Sequence, residues 1–528
     1  MAIKVVILVL FFAVMIGVGI YSRKTAADVN GFVLGGRSVG PWLTAFAYGT
    51  SYFSAVIFVG YAGQFGWKFG IASTWIGIGN ALIGSLIAWV LLGRRTRVLT
   101  HKLDSSTMPD YFAKRFGSNG LKVTASAIIF VFLIPYTASL YNGLSRLFNM
   151  AFSVDYTVCV IVMALLTGIY VIVGGYMATA INDFIQGIIM LVGIVAVIVA
   201  VLEQNGGLMG SLIKLAVYSD SSTPNGDVPG IFASFLGPDP FSLLCVVILT
   251  SLGTWGLPQM VQKFYAIKSE KAVKTGTIVS TFFAVIVAGG CYFLGGFGRL
   301  TAGAVETKPD GSIIYDSVIP TMIENLPEIL IAVVVILVLS ASMSTLSSLV
   351  LTSSSTLTLD FIKGTIVKNF SEKKQMITMR ILVVVFIAIS AVIAVVQYKS
   401  NVTFIAQLMG ISWGALAGAF LAPFLYSLYW KKTTAASCWV SFIFGAVFMT
   451  LNLFNTLGIL KLPLFAGQLA SPINAGAFTM LAGLVIVPVV SIFTKKPDSN
   501  EMDKLFDVFE EQVTVKRRTA LSQNEDEN

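Results

Sequence analysis

The chain has 528 residues, 56% of them hydrophobic and only 12% charged, with a net charge of +9. Soluble domains carry about 25% charged residues, so neither a water-facing surface nor one soluble core fits this composition, and four cysteines are too sparse for a disulfide scaffold. Lipid is the expected solvent for most of the chain; the basic residues lie in short clusters between apolar runs, which points to membrane topology rather than nucleic acid.

A bilayer crossing needs about 20 mainly apolar residues. Candidate spans are 2–21, 42–66, 71–93, 123–150, 156–181, 184–204, 239–262, 274–298, 327–359, 379–398, 403–428, 435–456 and 475–494, which gives an all-α integral membrane protein with thirteen transmembrane helices. The first apolar run is long and is followed directly by Arg23 and Lys24, so it reads as an anchor rather than a cleaved signal. With the N-terminus outside, the inner segments hold 27 Lys and Arg and the outer segments 7. That bias obeys the positive-inside rule and places the C-terminus in the cytoplasm, in a multi-pass protein of the plasma (inner) membrane. In the tail, Leu505, Phe506, Val508, Phe509 and Val513 recur at helical spacing, predicting a short surface helix before a disordered end.

Polar groups inside the membrane are costly and therefore informative. Span 42–66 carries Gly49-Thr50-Ser51-Tyr52-Phe53-Ser54 at its middle. Glycine and hydroxyl residues weaken a helix there, and an unwound turn frees carbonyls that a hard cation could take; packing through small residues explains the same run. In span 327–359, Ala341, Ser344, Thr345, Ser347 and Ser348 fall within an arc of about 160° at 3.6 residues per turn, with Ser342 outside it. This hydroxyl face suits sodium, a hard ion that prefers oxygen ligands, or else packs with each hydroxyl bonded one turn back. Asp183 lies between two apolar runs with almost no loop, as an inner-surface carboxylate or as a cation ligand inside the bundle. Arg146, at the outer end of its span, is placed to snorkel, and Cys159, Cys245, Cys291 and Cys438 read as buried, inert thiols.

These places, in this order, resemble the sodium/solute symporter family, including its sodium/proline and sodium/pantothenate branches. Leu34-Gly35-Gly36-Arg37-Ser38-Val39-Gly40-Pro41, Met108-Pro109-Asp110-Tyr111-Phe112, Gly174-Gly175-Tyr176 with Asn182-Asp183 and Gln186, and Met343-Ser344-Thr345-Leu346-Ser347 closing at Asp360 carry the likeness. The resemblance implies a LeuT-like core of two inverted five-helix repeats, 42–204 and 239–428, with additional helices at 1–22 and 435–494 and a cytoplasmic tail at 495–528. It implies a main sodium site from the carbonyls of Thr50, Phe53 and Ala341 and the hydroxyls of Ser344 and Thr345. A second sodium site would use Asp183, Ser347 and Ser348, so the coupling ion is one or two Na⁺, with no other cofactor. The implied substrate contacts are Tyr52, Ser54, Tyr136, Thr250, Thr254 and Gln407.

The expected function is sodium-coupled inward symport of a small organic solute by alternating access. The solute is an amino acid such as proline, or pantothenate, with a sugar or small monocarboxylate as the alternative. Tyr52, Thr250 and Thr254 depart from the proline branch, which has an aspartate, a tryptophan and a tyrosine there. The expected partners are sodium, the solute and the lipid bilayer, with no nucleic acid and no obligate protein partner. An enzyme is not expected: one histidine, His101, precludes HExxH and multi-histidine metal sites, and Asp183 is the lone carboxylate candidate within the spans. A passive channel would also use a broken helix and a hydroxyl face, but would not couple two gradients.

Overall fold

The computed structural model describes residues 2–152, 154–223, 225–309, 311–367, 369–400 and 405–509, without the side chains of residues 2–5, 52, 364, 397, 399 and 400. Helix α1 spans Ala2–Ser22 and α2 Pro41–Tyr52, the latter opened by a proline at its first turn, where a missing N–H costs nothing. Phe53 then turns extended (φ −86°, ψ 127°) and ends the helix. Helical structure resumes as α3, Val56–Lys102, and is followed by α4, Asn119–Phe152, and α5, Tyr156–Glu203. Next come α6, Pro240–Gly256, and α7, Pro258–Ala266, bent by 44° against each other. The remaining long helices are α8, Glu270–Gly295; α9, Glu328–Ile362; α10, Glu372–Ser400; α11, Ile405–Tyr429; α12, Ala435–Thr456; and α13, Pro472–Phe493. A short α14, Ser499–Phe506, and a 3-10 turn, Asp507–Phe509, close the described chain. Among the described residues there are isolated β-bridges but no named strand.

The breaks fall where the backbone demands them. Gly70 has φ +61° inside α3, and a Cβ there would collide with the Phe232 carbonyl. Gly175 (φ 55°, ψ −150°) is the non-helical residue inside the 48-residue α5. By length and composition, nine helices among the described residues can cross a membrane, ten if the bent α6–α7 pair is one span. This differs from the thirteen expected spans because helical structure runs on through several predicted boundaries. Span 42–66 is divided between α2 and α3, 71–93 shares α3, and 156–181 and 184–204 share α5. A straight α5 would be about 70 Å long at about 1.5 Å per residue, more than twice the roughly 30 Å hydrocarbon core.

Helix α9 is the axis of the fold. Every residue from Val334 to Thr356 on it is buried, and it packs against α1, α2, α4, α5 and α10. Helix α10 instead exposes Ile377, Ile381, Val384, Val392 and Val396, as a helix with a lipid-facing stripe should. At one end of the bundle the segments richest in Lys and Arg come together. Arg94 pairs with Glu270 at 2.6 Å, Arg97 donates to the Ile267 carbonyl at 3.0 Å, and Thr107 donates to Asp360 at 2.6 Å. The tail docks on the same end: Lys431 pairs with Asp503 at 2.6 Å, Arg115 lies over the Phe506 ring, and Arg95 over Phe509. The expected tail helix is therefore present; Val513 lies outside the described residues.

Candidate functional site

The interruption of α2 has a direct chemical consequence. The Phe53 N–H still reaches the Gly49 carbonyl at 3.2 Å, but the Thr50, Ser51 and Phe53 carbonyls turn toward α9. Ser344 Oγ lies 2.9 Å from the Thr50 oxygen and 3.4 Å from that of Ala341. Thr345 Oγ1 lies 3.3, 3.4, 3.2 and 3.1 Å from the oxygens of Thr50, Ser51, Phe53 and Ala341. All five residues expected for the main sodium site thus meet at one point, with the Ser51 carbonyl added. Each is fully or almost fully buried. Ser342, which the helical arc leaves out, is bonded back to the Val338 carbonyl at 2.8 Å. A cluster of neutral oxygens shared by two helices can exchange its hydroxyl hydrogen bonds for a desolvated hard cation.

One turn further along α9 the chemistry changes. Ser347 donates to the Ser344 carbonyl at 2.9 Å. Ser348 Oγ lies 2.9 Å from Ser51 Oγ and 3.0 Å from Lys263 Nζ. Lys263 in turn stands 3.8 Å from an Asp183 oxygen, with side chains 2% and 0% exposed, and lies over the Tyr176 ring at 5.1 Å. Asp183 and Ser348 are brought together through this lysine. Lys263 directly follows the expected span 239–262 and so counts among the inner Lys and Arg residues, but it is buried inside the bundle instead.

Of the expected solute contacts, Ser54 and Tyr136 converge. Both are buried, Ser54 is a near neighbour of the Tyr136 hydroxyl, and the Tyr136 ring meets Trp413 edge-on at 5.9 Å. Trp413, on α11, also lies against Gly253 of α6, where any Cβ would be 2.7 Å from the indole. Thr250 and Thr254 are engaged elsewhere: Thr250 bonds back to Val246 at 2.8 Å, and Thr254 bonds to Gly84 at 3.0 Å and Ser251 at 2.9 Å. Gln407 is half-buried two turns before Trp413, and the Tyr52 side chain lies outside the described residues. Sequence reasoning missed Lys263 and Trp413.

The opposite end of the bundle from the tail is also closed by charge. Arg299 donates to the Trp67 carbonyl at 2.6 Å, to Asp220 at 2.7 Å and to Thr223 at 2.8 Å, and lies 3.8 Å over the Phe232 ring. Burial opposes charge on Asp220, but hydrogen bonds from Ser222, Arg299 and Thr223 outweigh it and hold the carboxyl well below its ordinary range. Arg146 is 3.9 Å from Asp316 with its side chain 22% exposed, beside a cavity of about 370 Å³ that Tyr156 and Tyr398 also line.

Broken helices that pool backbone carbonyls and hydroxyls at one buried point define a secondary transporter arrangement. The sodium:solute symporter family model matches residues 32–445, and the chain belongs to that family. Sodium-coupled solute symport is its function class. The chain is 28% identical to the osmoregulated proline transporter OpuE of Bacillus subtilis, over 98% of this chain and 100% of that protein. It is 29% identical to a sodium/proline symporter of Staphylococcus aureus, over 96% of each. Among solved structures, a substrate-bound, outward-open sodium-coupled sialic acid symporter superposes with a TM-score of 0.71 at 16% identity, over 94% of this chain and 99% of that one. Mhp1, a nucleobase-cation-symport-1 family transporter in a closed conformation, gives 0.50 at 15% identity, over 90% and 98%. These likenesses are likenesses of fold.

Proposed function

We propose that this symporter carries a small zwitterionic solute of proline's class inward with sodium, by alternating access. The observation that carries the reading is the meeting of the Thr50, Phe53 and Ala341 carbonyls with the Ser344 and Thr345 hydroxyls. A sodium ion there ties α2 to α9 and so favours one arrangement of the bundle, which is what coupling requires. Proline is favoured by the end-to-end match to two proline transporters and by the enclosed Tyr136–Trp413 pair next to Ser54, which suits a compact, largely apolar ring. Tyr136, Ser54 and Trp413 are the contacts proposed for the solute, and Tyr52 and Gln407 are kept as proposed contacts from the family resemblance. Thr250 and Thr254 shape the wall through their bonds to α6 and α3.

The membrane arrangement proposed is thirteen crossings, with α3 and α5 each crossing twice and α1 once, the N-terminus outside and the tail inside. The repeats are then 42–204 and 239–428, each with a broken first helix: α2 at Phe53 and α6–α7 at Leu257. The experiment is uptake of radiolabelled proline into sealed proteoliposomes under an imposed sodium gradient, with pantothenate, other amino acids, sugars and monocarboxylates as competitors. Sodium-driven proline accumulation, competed by small imino and amino acids, is expected. Competition by pantothenate or a sugar alone would move the solute assignment; equal uptake without sodium would remove the symport reading.

A further inference from the structure

The Asp183 carboxylate is wholly buried on α5, and neither of its oxygens has a hydrogen-bond partner among the described residues. A bare buried carboxylate needs a cation, and the structure supplies one of its own. Lys263 reaches in from α7, with its ammonium 3.8 Å from the Asp183 oxygen, 3.0 Å from Ser348 Oγ and 5.1 Å from the centre of the Tyr176 ring. A carboxylate, a hydroxyl and an aromatic face are complementary to one positive charge. Asp183 and Ser348 are also two of the three residues from which a second sodium site would be made. The third, Ser347, has its hydroxyl committed to the Ser344 carbonyl.

We infer that the Lys263 ammonium is the resident, covalently tethered cation of the Asp183–Ser348 position, so that this symporter binds one sodium ion, at the Thr50–Ser344–Thr345 site. The inference rests on the proposed symport reading and deepens it to the ion stoichiometry. A second sodium among Asp183, Ser347 and Ser348 would sit next to a fixed positive charge in a dry interior, where repulsion is strongest. The tether also has a structural use. Lys263 joins the second broken helix to α9 through Ser348, and Ser348 Oγ lies 2.9 Å from Ser51 Oγ on the first broken helix. Ser51 lends its carbonyl to Thr345 at 3.4 Å. The lysine thus braces the same helix pair that the free ion bridges, but does not leave with it.

The test is equilibrium binding of ²²Na⁺ to the purified full-length protein, taken to saturation, with no solute needed. The wild type is expected to saturate at one ion per chain along a simple hyperbola. Lys263→Gln, which keeps Asp183 and the serines but removes the tethered charge, is expected to saturate at two, and Lys263→Arg at one. The double variant Asp183→Asn, Lys263→Gln, which leaves no unpaired charge, is expected to return to one and guards against a Lys263→Gln chain that fails to fold. Two ions in the wild type would overturn the inference while leaving symport intact. So would an unchanged isotherm in folded Lys263→Gln. No saturable sodium binding in the wild type would instead remove the symport reading, and the inference with it.

Discussion

Two neighbouring stretches of α9 treat positive charge in opposite ways. Around Ser344 and Thr345, the pooled groups are neutral oxygens from two helices, and among the described residues no carboxylate or ammonium is bonded to them. About one turn further, around Ser348, the groups are a carboxylate and an ammonium, each buried and facing the other. Neutral oxygens hold a desolvated ion only as tightly as their number and geometry allow, which suits a cargo that must leave. A formal ion pair in a dry interior is stable only while both partners remain. On the proposed reading the first stretch is built for exchange and the second for permanence, although both are serine-rich turns of one helix.

The sharpest way to break this comparison is to take one partner out of the permanent pair. Lys263→Met leaves Asp183 as an uncompensated buried charge, and loss of one partner of such a pair costs about 3–5 kcal/mol. In sodium-free buffer, where no free ion can take the lysine's place, we expect a large fall in folded protein by size-exclusion and thermal unfolding. Asp183→Asn together with Lys263→Met should recover most of it, because a neutral pair carries no such penalty. A single variant as stable as the wild type would mean that the two charges are not opposed in the folded protein.

At the proposed exchange site the expected effect is smaller in stability and larger in transport. Ser344→Ala or Thr345→Ala removes one oxygen from a cluster of about five, worth about 1–3 kcal/mol if the ion uses it. This corresponds to roughly a ten- to hundredfold rise in the sodium concentration for half-maximal uptake, with protein yield close to normal. Unchanged sodium dependence in both variants would show that this convergence is packing through back-bonded hydroxyls and nothing more.

The two stretches also differ in how far they could be read in the sequence. The proposed exchange site is local twice over. The run Gly49-Thr50-Ser51 announces a weak point in a helix, and the 3.6-residue period alone gathers Ala341, Ser344 and Thr345 on one face and excludes Ser342, as the Ser342 bond to Val338 bears out. Only their meeting, 290-odd residues apart, required the family resemblance. Lys263 was illegible for the converse reason. A lysine at the end of an apolar run, followed by Lys268 and Lys271, has the local look of a cytoplasmic flank, and its burial is fixed by the bend at Leu257 and by residues on α5 and α9. Trp413 lacked any local signal, since an aromatic residue in a span faces lipid, protein or cargo with equal ease. The number of crossings blurred because Gly70 and Gly175 redirect the helix without interposing polar loops.

The proposed solute pocket sharpens the comparison at a third point, where neither charge nor ion is involved. Tyr136→Phe removes one hydroxyl and retains the ring against Trp413. We expect a severalfold rise in half-saturation for solute, about 1 kcal/mol, with intrinsic sodium affinity little changed. Trp413→Ala removes a large buried surface and should weaken solute more, accompanied by some loss of stability. If solute half-saturation is indifferent to Tyr136, Trp413 and Ser54 alike, the solute binds elsewhere.

The smallest expected effect belongs to the ion pair at the opposite end of the molecule, Arg299 with Asp220. It resembles the Lys263 pair in having a buried cation, the Arg299 side chain being 0% exposed, but its carboxylate is 18% exposed and in reach of water. Arg299 also keeps the Trp67 carbonyl, Thr223 and the Phe232 face when Asp220 is neutralised, so removing this partner does not strand a charge. Asp220→Asn should therefore lower the unfolding temperature far less than Lys263→Met. Its pH signature follows from the direction of the shift. The folded carboxyl titrates below its ordinary 3.8, so its contribution is fully present above that value and is lost only as the pH falls through the lower, folded-state value. Thermal unfolding of wild type and Asp220→Asn should run parallel from neutral pH down to about 5 and converge only in stronger acid. A gap that closed between pH 8 and 6 would assign the titration to another group and remove the carboxylate from this staple.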